Sequence, residues 1–343
     1  MSNKNPLVQF TAALVCLFVL QSVFAKEANQ VMPQVEEIVV SGFRDKPARN
    51  YNTRIRVLKQ EDVDSATVAH FEELVQLVPN INLSGEGSRA RYFQLRGVGE
   101  REQYEGAPNP SLGFIVDDID MSGVGGVSSL FDVHQVDVLY GPQATRYGSD
   151  AIAGLVYMQT VGPTDKLDAR LELTGGNDDT QAIGGALGGP LNDSFSGRLS
   201  SYHYASNGFR DNESLGEDDT NGRDELTVRG KLLWQLGKDW RVLFSGLYTD
   251  FDNGYDAFVI DNGSVMHSDN PGRDEQQTTA GSLKITGPLN SSAGFVSITG
   301  YASSDILFSF DGDWGSDSFW NPYLYDYTYQ NPRDRDSLSQ EFR

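Results

Sequence analysis

From about Lys166 onward, apolar and polar side chains alternate in segments of roughly ten residues, and that alternation restricts the fold more than any other feature. Leu171 and Leu173 oppose Arg170, Glu172 and Thr174, and Leu226, Val228, Leu232, Trp234 and Leu236 oppose Thr227, Arg229, Lys231 and Gln235. Leu283 and Ile285 oppose Ser282, Lys284 and Thr286, and Val296 and Ile298 oppose Ser297 and Thr299. A period of two sends neighbouring side chains to opposite faces of a strand. About ten residues is the length a tilted strand needs to cross a bilayer, and a wall between lipid and water requires one apolar face and one polar face. A soluble β-sandwich alternates in the same way, so the connections must separate the two. Tight turns at 190–193, 237–239 and 289–292 alternate with long polar loops near 206–224, 251–277 and 309–336. A sandwich has no reason to keep its long loops on one side, whereas an outer-membrane barrel does. Tyr202, Tyr204, Trp240, Tyr248, Tyr301, Trp314 and Trp320 crowd strand ends and loop bases, as an interfacial girdle would.

The beginning of the chain says where such a wall would be built. Lys4 precedes an apolar run from Leu7 to Leu20, and small residues surround Ala25, which reads as a secretory signal over 1–25. The single cysteine, Cys16, lies inside that run. Cleavage after Ala25 leaves none, which excludes disulfides and thiol catalysis from the mature chain. No later stretch is apolar and long enough for a membrane helix, so any insertion has to use strands. The formal net charge of -21 argues against nucleic acid, which needs clustered Lys and Arg. It fits a cationic, metal-bearing or neutral partner, or a solubilising surface.

Between about Asn50 and Thr160 the pattern is mixed. Strands are expected at 53–59, 92–96, 112–116, 135–140 and 155–160. A helix carries Val68, Phe71, Leu74, Val75 and Val78 on one face and ends at Pro79. His70 on that helix reads as a packed or surface side chain rather than a ligand. The glycine-rich loops 84–91, 97–110 and 122–130 do not stand between a strand and a helix N-terminus at phosphate-binding spacing. Asp117, Asp118 and Asp120 are better explained by a hairpin turn than by a cation site, and Glu217-Asp218-Asp219 by a solvated loop tip. No nucleophile–base or paired-carboxylate arrangement is present, so the expectation is a non-enzyme with no cofactor and no resident metal. Ahead of this region, VEEIVVSG (35–42) is an apolar strand between polar stretches 26–34 and 44–51, with no obvious partner strand.

About eight strands precede Arg343, and the last segment stops in mid-strand. An eight-stranded barrel is filled by its own side chains. It has no room for the domain of roughly 110 residues that precedes it, so the chain is expected to be a piece of a larger barrel.

This order of signal, isolated strand, small mixed domain and barrel resembles the TonB-dependent outer-membrane receptors. Residues 35–42 are similar to the TonB box, and Phe93-Gln94-Leu95-Arg96-Gly97 resembles the plug's arginine–glycine motif. Residues 136–160 resemble its long signature, with Gly141-Pro142-Gln143, Tyr147-Gly148 and Ala153-Gly154 in matching places. The resemblance implies an α+β plug domain followed by an antiparallel transmembrane β-barrel, with about eight of roughly 22 strands present. It implies a signal at 1–25, an N-terminal segment at 26–49 with its TonB box at 35–42, a plug at 50–162 and the first part of the barrel at 163–343.

The implied function is active import across a Gram-negative outer membrane, of a ferric siderophore or related iron complex. Cobalamin or an oligosaccharide is the alternative cargo, and a secreted binding or adhesion β protein is the structural rival. Implied partners are TonB, a bulky small-molecule ligand and outer-membrane lipid. Val35, Glu36, Glu37, Ile38, Val39, Val40 and Ser41 would pair edge-on with TonB through main-chain hydrogen bonds. Arg89, Arg91, Arg101 and Tyr104, on the upper plug loops, are the ligand candidates, by charge-assisted hydrogen bonds to an anionic chelate. The alternative for the arginines is solvation of the plug or pairing with acids of the wall. Family plugs tend to be held by two arginines on wall glutamates. Here Arg96 remains, Tyr140 stands in the other arginine's place, and the expected contact is Arg96–Glu341.

Overall fold

The computed structural model describes residues 39–40, 46–47, 54–66, 70–84, 87–101, 110–124, 129–143, 151–261 and 263–343. The expected signal, Val35 to Ile38 and Ser41 of the expected TonB box, and Tyr104 lie outside them. The first described elements are β1 (Val39–Val40) and β2 (Lys46–Pro47), an antiparallel pair with Val39 opposite Pro47 and Val40 opposite Lys46. The segment read as a loop without a partner strand therefore supplies one.

The mixed domain follows as β3 (Ile55–Lys59), α1 (Gln60–Ala66), α2 (Phe71–Leu74), β4 (Ile81–Ser84), β5 (Tyr92–Leu95), β6 (Leu112–Val116), β7 (Ile119–Asp120), β8 (Val133–Tyr140) and β9 (Gly154–Thr160). The single expected helix is replaced by two short ones, α2 running on into a 3₁₀ turn at Val75–Leu77. The Asp62 carboxylate accepts the Lys59 N–H at 3.0 Å at the start of α1. His70, fully buried, caps α2 by accepting the Glu72 N–H on Nδ1. Five strands make one sheet in the order β3-β8-β9-β6-β7, with β6 and β9 parallel and the other neighbours antiparallel; β4 and β5 form a separate hairpin. Its core is aromatic and aliphatic. Phe71 meets Phe93 and Phe114 edge-on at 5.1 and 5.4 Å, over Leu58, Val136, Val156 and Met158.

The wall is built from β10 (Asp168–Gly175), β11 (Gln181–Pro190), β12 (Phe195–Ser206), β14 (Arg223–Leu236), β15 (Trp240–Tyr255), β17 (Gly272–Pro288), β18 (Gly294–Asp311) and β19 (Thr328–Phe342). The short β13 (Asp211–Asn212), β16 (Val265–Met266) and α3 (Asp317–Trp320) sit in the long loops. The eight long strands form one open antiparallel sheet in sequence order, the eight that alternation predicts. On β14, Glu225, Thr227 and Arg229 are buried while Leu232, Trp234 and Leu236 are exposed.

One expectation reverses. Val296 and Ile298 on β18 were expected on the outer apolar face. Instead Ile298 is buried with Ala302, Ile306 and Phe308 on the inner side, and Tyr301 is exposed. The inner face of this part of the wall covers an apolar plug rather than water. Leu247, Ala280, Ala302 and Ile306 of the wall share one hydrophobic cluster with Val116, Ile119 and Met121 of the plug, so apolar side chains are favoured inside as well as outside.

The long loops are tied to one another. β13 and β16 pair in parallel, and the buried Asp256 carboxylate accepts from Asn212 Nδ2 (2.8 Å), Thr220 Oγ1 (2.8 Å) and Ser268 Oγ (2.6 Å). The Asp269 N–H donates to the Gly315 carbonyl at 3.0 Å, adding the third loop.

Candidate functional site

Two tiers of charge join plug and wall. Because β14 and β17 both begin at the long loops, Glu225 and Asp274 mark the loop side, and Lys231 and Lys284 lie further toward the tight turns.

In the loop-side tier the plug supplies the cations. Arg89, buried, donates from Nε to Glu225 Oε1 (2.7 Å), from Nη2 to Glu225 Oε2 (2.6 Å) and from Nη1 to Glu72 Oε1 (2.7 Å). Asn253 Nδ2 donates to Glu225 at 2.9 Å, and the Ala90 N–H to Glu72 at 2.8 Å. Arg91 pairs with Asp274, whose Oδ2 also accepts the Ser88 N–H (2.7 Å) and hydroxyl (3.1 Å) and the Arg89 N–H (3.3 Å). Gly87 makes that approach feasible: its φ is +128°, and a Cβ there would collide with the Asp274 carboxylate. Burial by itself would raise the Glu72 carboxyl, but His70, Arg89 and the Ala90 N–H outweigh it and hold the group at about 2. Burial would lower Arg89, and Glu225 and Glu72 push it above its ordinary value instead.

In the turn-side tier the polarity reverses, with acids on the plug and cations on the wall. Lys231 Nζ donates to Asp117 Oδ1 (2.7 Å) and to the Thr160 carbonyl (2.8 Å); Lys284 Nζ donates to Asp118 Oδ2 (3.1 Å). Arg198 forks onto Asp132 at 2.7 and 2.5 Å, and Arg229 donates to the carbonyls of Phe131 (2.8 Å) and Ser129 (2.7 Å). Asp117 and Asp118 have φ of 48° and 67°, which makes them the turn between β6 and β7, as read from sequence. Asp117 also accepts the Thr160 N–H (3.0 Å) and hydroxyl (2.6 Å). Burial would raise its carboxyl, but Lys231 and Thr160 hold it below its ordinary value. Phe131 seats its ring against the wall where Gly184 has no side chain; a Cβ there would come within 2.5 Å of the ring.

The expected site residues thus divide. Arg89 and Arg91, candidates for the ligand, are brought together but committed to Glu225, Glu72 and Asp274. Arg101 is exposed, with its carbonyl accepting from Ser84 Oγ at 2.8 Å. The expected Arg96–Glu341 contact is corrected: Glu341 holds Arg343, and the exposed Arg96 lies 5.0 Å from the Tyr140 ring centroid. Arg96 has a left-handed φ of 54° at the end of β5, and its N–H bonds the Asn80 carbonyl at 2.8 Å, which turns the side chain toward Tyr140 rather than the wall. Arg54 approaches the same ring at 5.4 Å, so the tyrosine in the arginine position collects cations through its π face. Its hydroxyl donates to the Pro79 carbonyl at 2.7 Å, and burial pushes the phenol above its ordinary value. Sequence reading passed over Glu72, Glu225, Asp274, Arg198, Lys231 and Lys284. The available signal was a charge at an inward position of an alternating strand, where an unpaired ion would be costly.

Above the loop-side tier lies a mouth of aromatic rings. Tyr255 is 5.0 Å from Phe308, Phe258 is 5.3 Å from Phe310 and 5.6 Å from Trp314, and Tyr329 stacks on Phe310 at 4.9 Å. Trp314, Tyr323, Tyr325 and Tyr327 remain exposed. A small cleft, open to solvent, adjoins the loop-side tier and is lined by Arg91, Phe93, Glu100, Pro110 and Met121. Among the described residues, no group of three or more His, Cys, Asp or Glu is placed to hold a metal ion.

Comparison with known proteins gives this architecture a family. Residues 47–155 match the model of the TonB-dependent Receptor Plug Domain. The chain is 24% identical over 236 residues to the Vitamin B12 transporter BtuB of Vibrio vulnificus, covering 66% of this chain and 37% of that protein. It is 24% identical over 253 residues to the Ferric enterobactin receptor PirA of Pseudomonas aeruginosa, covering 65% and 34%. Among solved structures, the ferric yersiniabactin uptake receptor FyuA of Yersinia pestis superposes with a TM-score of 0.67 at 22% identity, over 77% of this chain and 42% of that one. The chain thus spans less than half the length of these relatives. Residues 47–155 thus carry the plug domain of the TonB-dependent receptors, and plug and wall together have the fold of a solved receptor of that kind.

Proposed function

We propose that this chain serves in an outer-membrane, TonB-dependent importer of a ferric siderophore or related iron complex. The observation that carries the reading is the seam: a plug held against the wall by discrete, buried ion pairs beside a shared apolar cluster, beneath a mouth of rings. Such a contact holds in one register and releases in steps when pulled. Residues 26–49 are the tether, 50–162 the plug and 163–343 the first part of a barrel in the outer membrane, with a signal peptide at 1–25. TonB pairs with Val35 to Ser41 through main-chain hydrogen bonds. The β1–β2 pairing at Val39 and Val40 supports strand-forming character in that segment. Arg101 and Tyr104 are the proposed plug contacts to the ligand. The likeness to receptors whose names carry ferric ligands supports an iron cargo. The likeness to a vitamin B12 transporter supports cobalamin as a second reading.

The test is growth on candidate iron sources, or on cobalamin, in a strain lacking the complete protein and supplied with it. Ile38→Pro removes a ladder donor. It is expected to abolish uptake while leaving ligand binding to whole cells unchanged; undiminished uptake by that variant would sink the assignment.

A further inference from the structure

The wall does not hold the plug in the same way along its length. On β11, β12 and β14 the inward side chains are spent on the plug. Arg198 forks onto Asp132, Arg229 takes the carbonyls of Phe131 and Ser129, and Ala182, Ala186 and Tyr202 pack around Phe131. Across β15, β17 and β18 the inward side chains form rungs set by the strand register. Thr249, Thr278 and Ser304 make one; Leu247, Ala280 and Ala302 make the next toward the turns, and Ser245, Ser282 and Gly300 the one after.

The first of these rungs is buried, yet its hydroxyls serve the wall. Thr278 and Ser304 bond each other at 2.9 Å, Gln276 Nε2 donates to Thr278 at 3.2 Å, and Thr249 Oγ1 has no partner. A surface covered permanently would be cheaper if apolar, because a buried hydroxyl gives up its water. A row of hydroxyls suits a face that water reaches in another state. Phe251 and Gln276, two residues loopward of Thr249 and Thr278, line a small cleft with Asn253 and Asp274.

The second rung is closed by the turn between β6 and β7. Val116, Ile119 and Met121 share its apolar cluster, and the turn comes close because Gly300 has no side chain: a Cβ there would lie 3.1 Å from the Asp118 carbonyl oxygen. Ser282 Oγ donates to the Asp117 carbonyl at 2.7 Å and Lys284 Nζ to Asp118, which pins the turn from the turn side. β7 is a two-residue strand at the edge of the plug sheet, so it can part from β6 without opening the centre of that sheet.

We infer that the imported ligand passes along the inner face of β15, β17 and β18, and that residues 117–121 are the gate of that passage. One apolar rung between two polar ones excludes water while the turn is seated, as a hydrophobic constriction does. Withdrawal of the turn leaves a polar groove continuous with the cleft above it. The passage rests on the import reading and adds to it which side of the plug yields.

Residues 26–343 hold no cysteine, so one introduced thiol can be read alone in the complete protein once any others are replaced by serine. The test labels Thr278→Cys, Ser304→Cys and, on the β12 side, Ser200→Cys with a membrane-impermeant maleimide in whole cells. Cells are supplied with ferric citrate, ferric tris(2,3-dihydroxybenzoate) or cyanocobalamin, and labelling is compared with and without the nutrient that rescues growth. All three changes are near-isosteric and should support wild-type growth. T278C and S304C should label about tenfold faster during uptake, as a minor open state becomes populated, while S200C stays protected. Ile119→Ser, which wets the apolar rung, should raise the resting ion conductance of the purified complete protein in planar bilayers. Faster labelling at S200C alone, an equal rise at all three positions, or no rise at T278C and S304C while growth continues would overturn the passage and leave the import reading standing. Unchanged conductance in I119S would overturn the gate. Absence of growth rescue by any of the three nutrients would count against the import reading and the passage together.

Discussion

The two tiers of the plug–wall seam use the same chemistry with opposite signs. Toward the loops, cationic Arg89 and Arg91 of the plug meet anionic Glu225 and Asp274 of the wall. Toward the turns, anionic Asp117, Asp118 and Asp132 of the plug meet cationic Lys231, Lys284 and Arg198. Buried ion pairs add little net stability over apolar packing, because desolvation offsets the attraction, but mispairing them is costly. Inverting the sign between tiers therefore fixes the depth of the plug. A plug displaced toward the turns carries its arginines toward the wall's lysines. On β14 the distance from Glu225 to Lys231 is six residues, about 20 Å at 3.3 Å each. A plug displaced toward the loops carries its aspartates toward Glu225 and Asp274. Either displacement brings like charges together, so the resting position is an electrostatic minimum along the strand direction.

The comparison breaks first at its most buried point. Glu225→Ala leaves Arg89 with Glu72 at 2.7 Å and the more distant Glu73 at 3.8 Å, and removes an acceptor of Asn253. The expected destabilisation is about 3–5 kcal/mol, read as a lower unfolding midpoint in denaturant. Lys231→Met on the other tier should cost less, about 1–3 kcal/mol, because Asp117 keeps both Thr160 hydrogen bonds. Equal losses in the two variants would mean that the tiers are not distinguished by their remaining partners.

Acid should act on the loop-side tier through Glu72. The folded carboxyl at about 2 lies below the usual 4.5, so the folded state binds its proton less readily than the unfolded chain. The stability it contributes is complete above about 4.5 and is lost as pH falls toward about 2. Glu72→Gln is expected to flatten stability against pH across that window, and an unchanged acid slope would contradict the role given to Glu72. The smallest effect belongs to Arg170→Gln. Its partners Asp64 and Glu172 are 48% and 35% exposed, so the loss should be below about 1 kcal/mol in a thermal melt.

Much of the wall was legible because its signals are local. Alternation with a period of two, turn residues between segments and long polar loops on one side each depend on a few neighbouring residues. They gave eight strands where the sheet has eight. The same rule misassigned Val296 and Ile298, because it took the inner side of the wall to be wet. The plug strands at 112–116 and 155–160 were found, but the α1 turn and the β1–β2 pairing were not. A four- to seven-residue helix and a two-residue ladder depend on their surroundings more than on propensity.

The seam is the clearest case of what was not legible. Arg89 and Glu225 are 136 residues apart, and either could have met a different partner under any pattern visible along the chain. Arg96 was matched to Glu341 from motif position, yet the turn at Asn80 and Arg96 sends it to Tyr140. Sequence alone determined that the chain alternates as a wall and that charged side chains would fall on inward strand positions. Only the tertiary structure decided which of those charges meet, since pairing depends on the depth and rotation of the plug against the wall. Those are set by the shared hydrophobic cluster, by Phe131 against Gly184 and by the Asp117–Asp118 turn, and they bring together residues that no local rule connects.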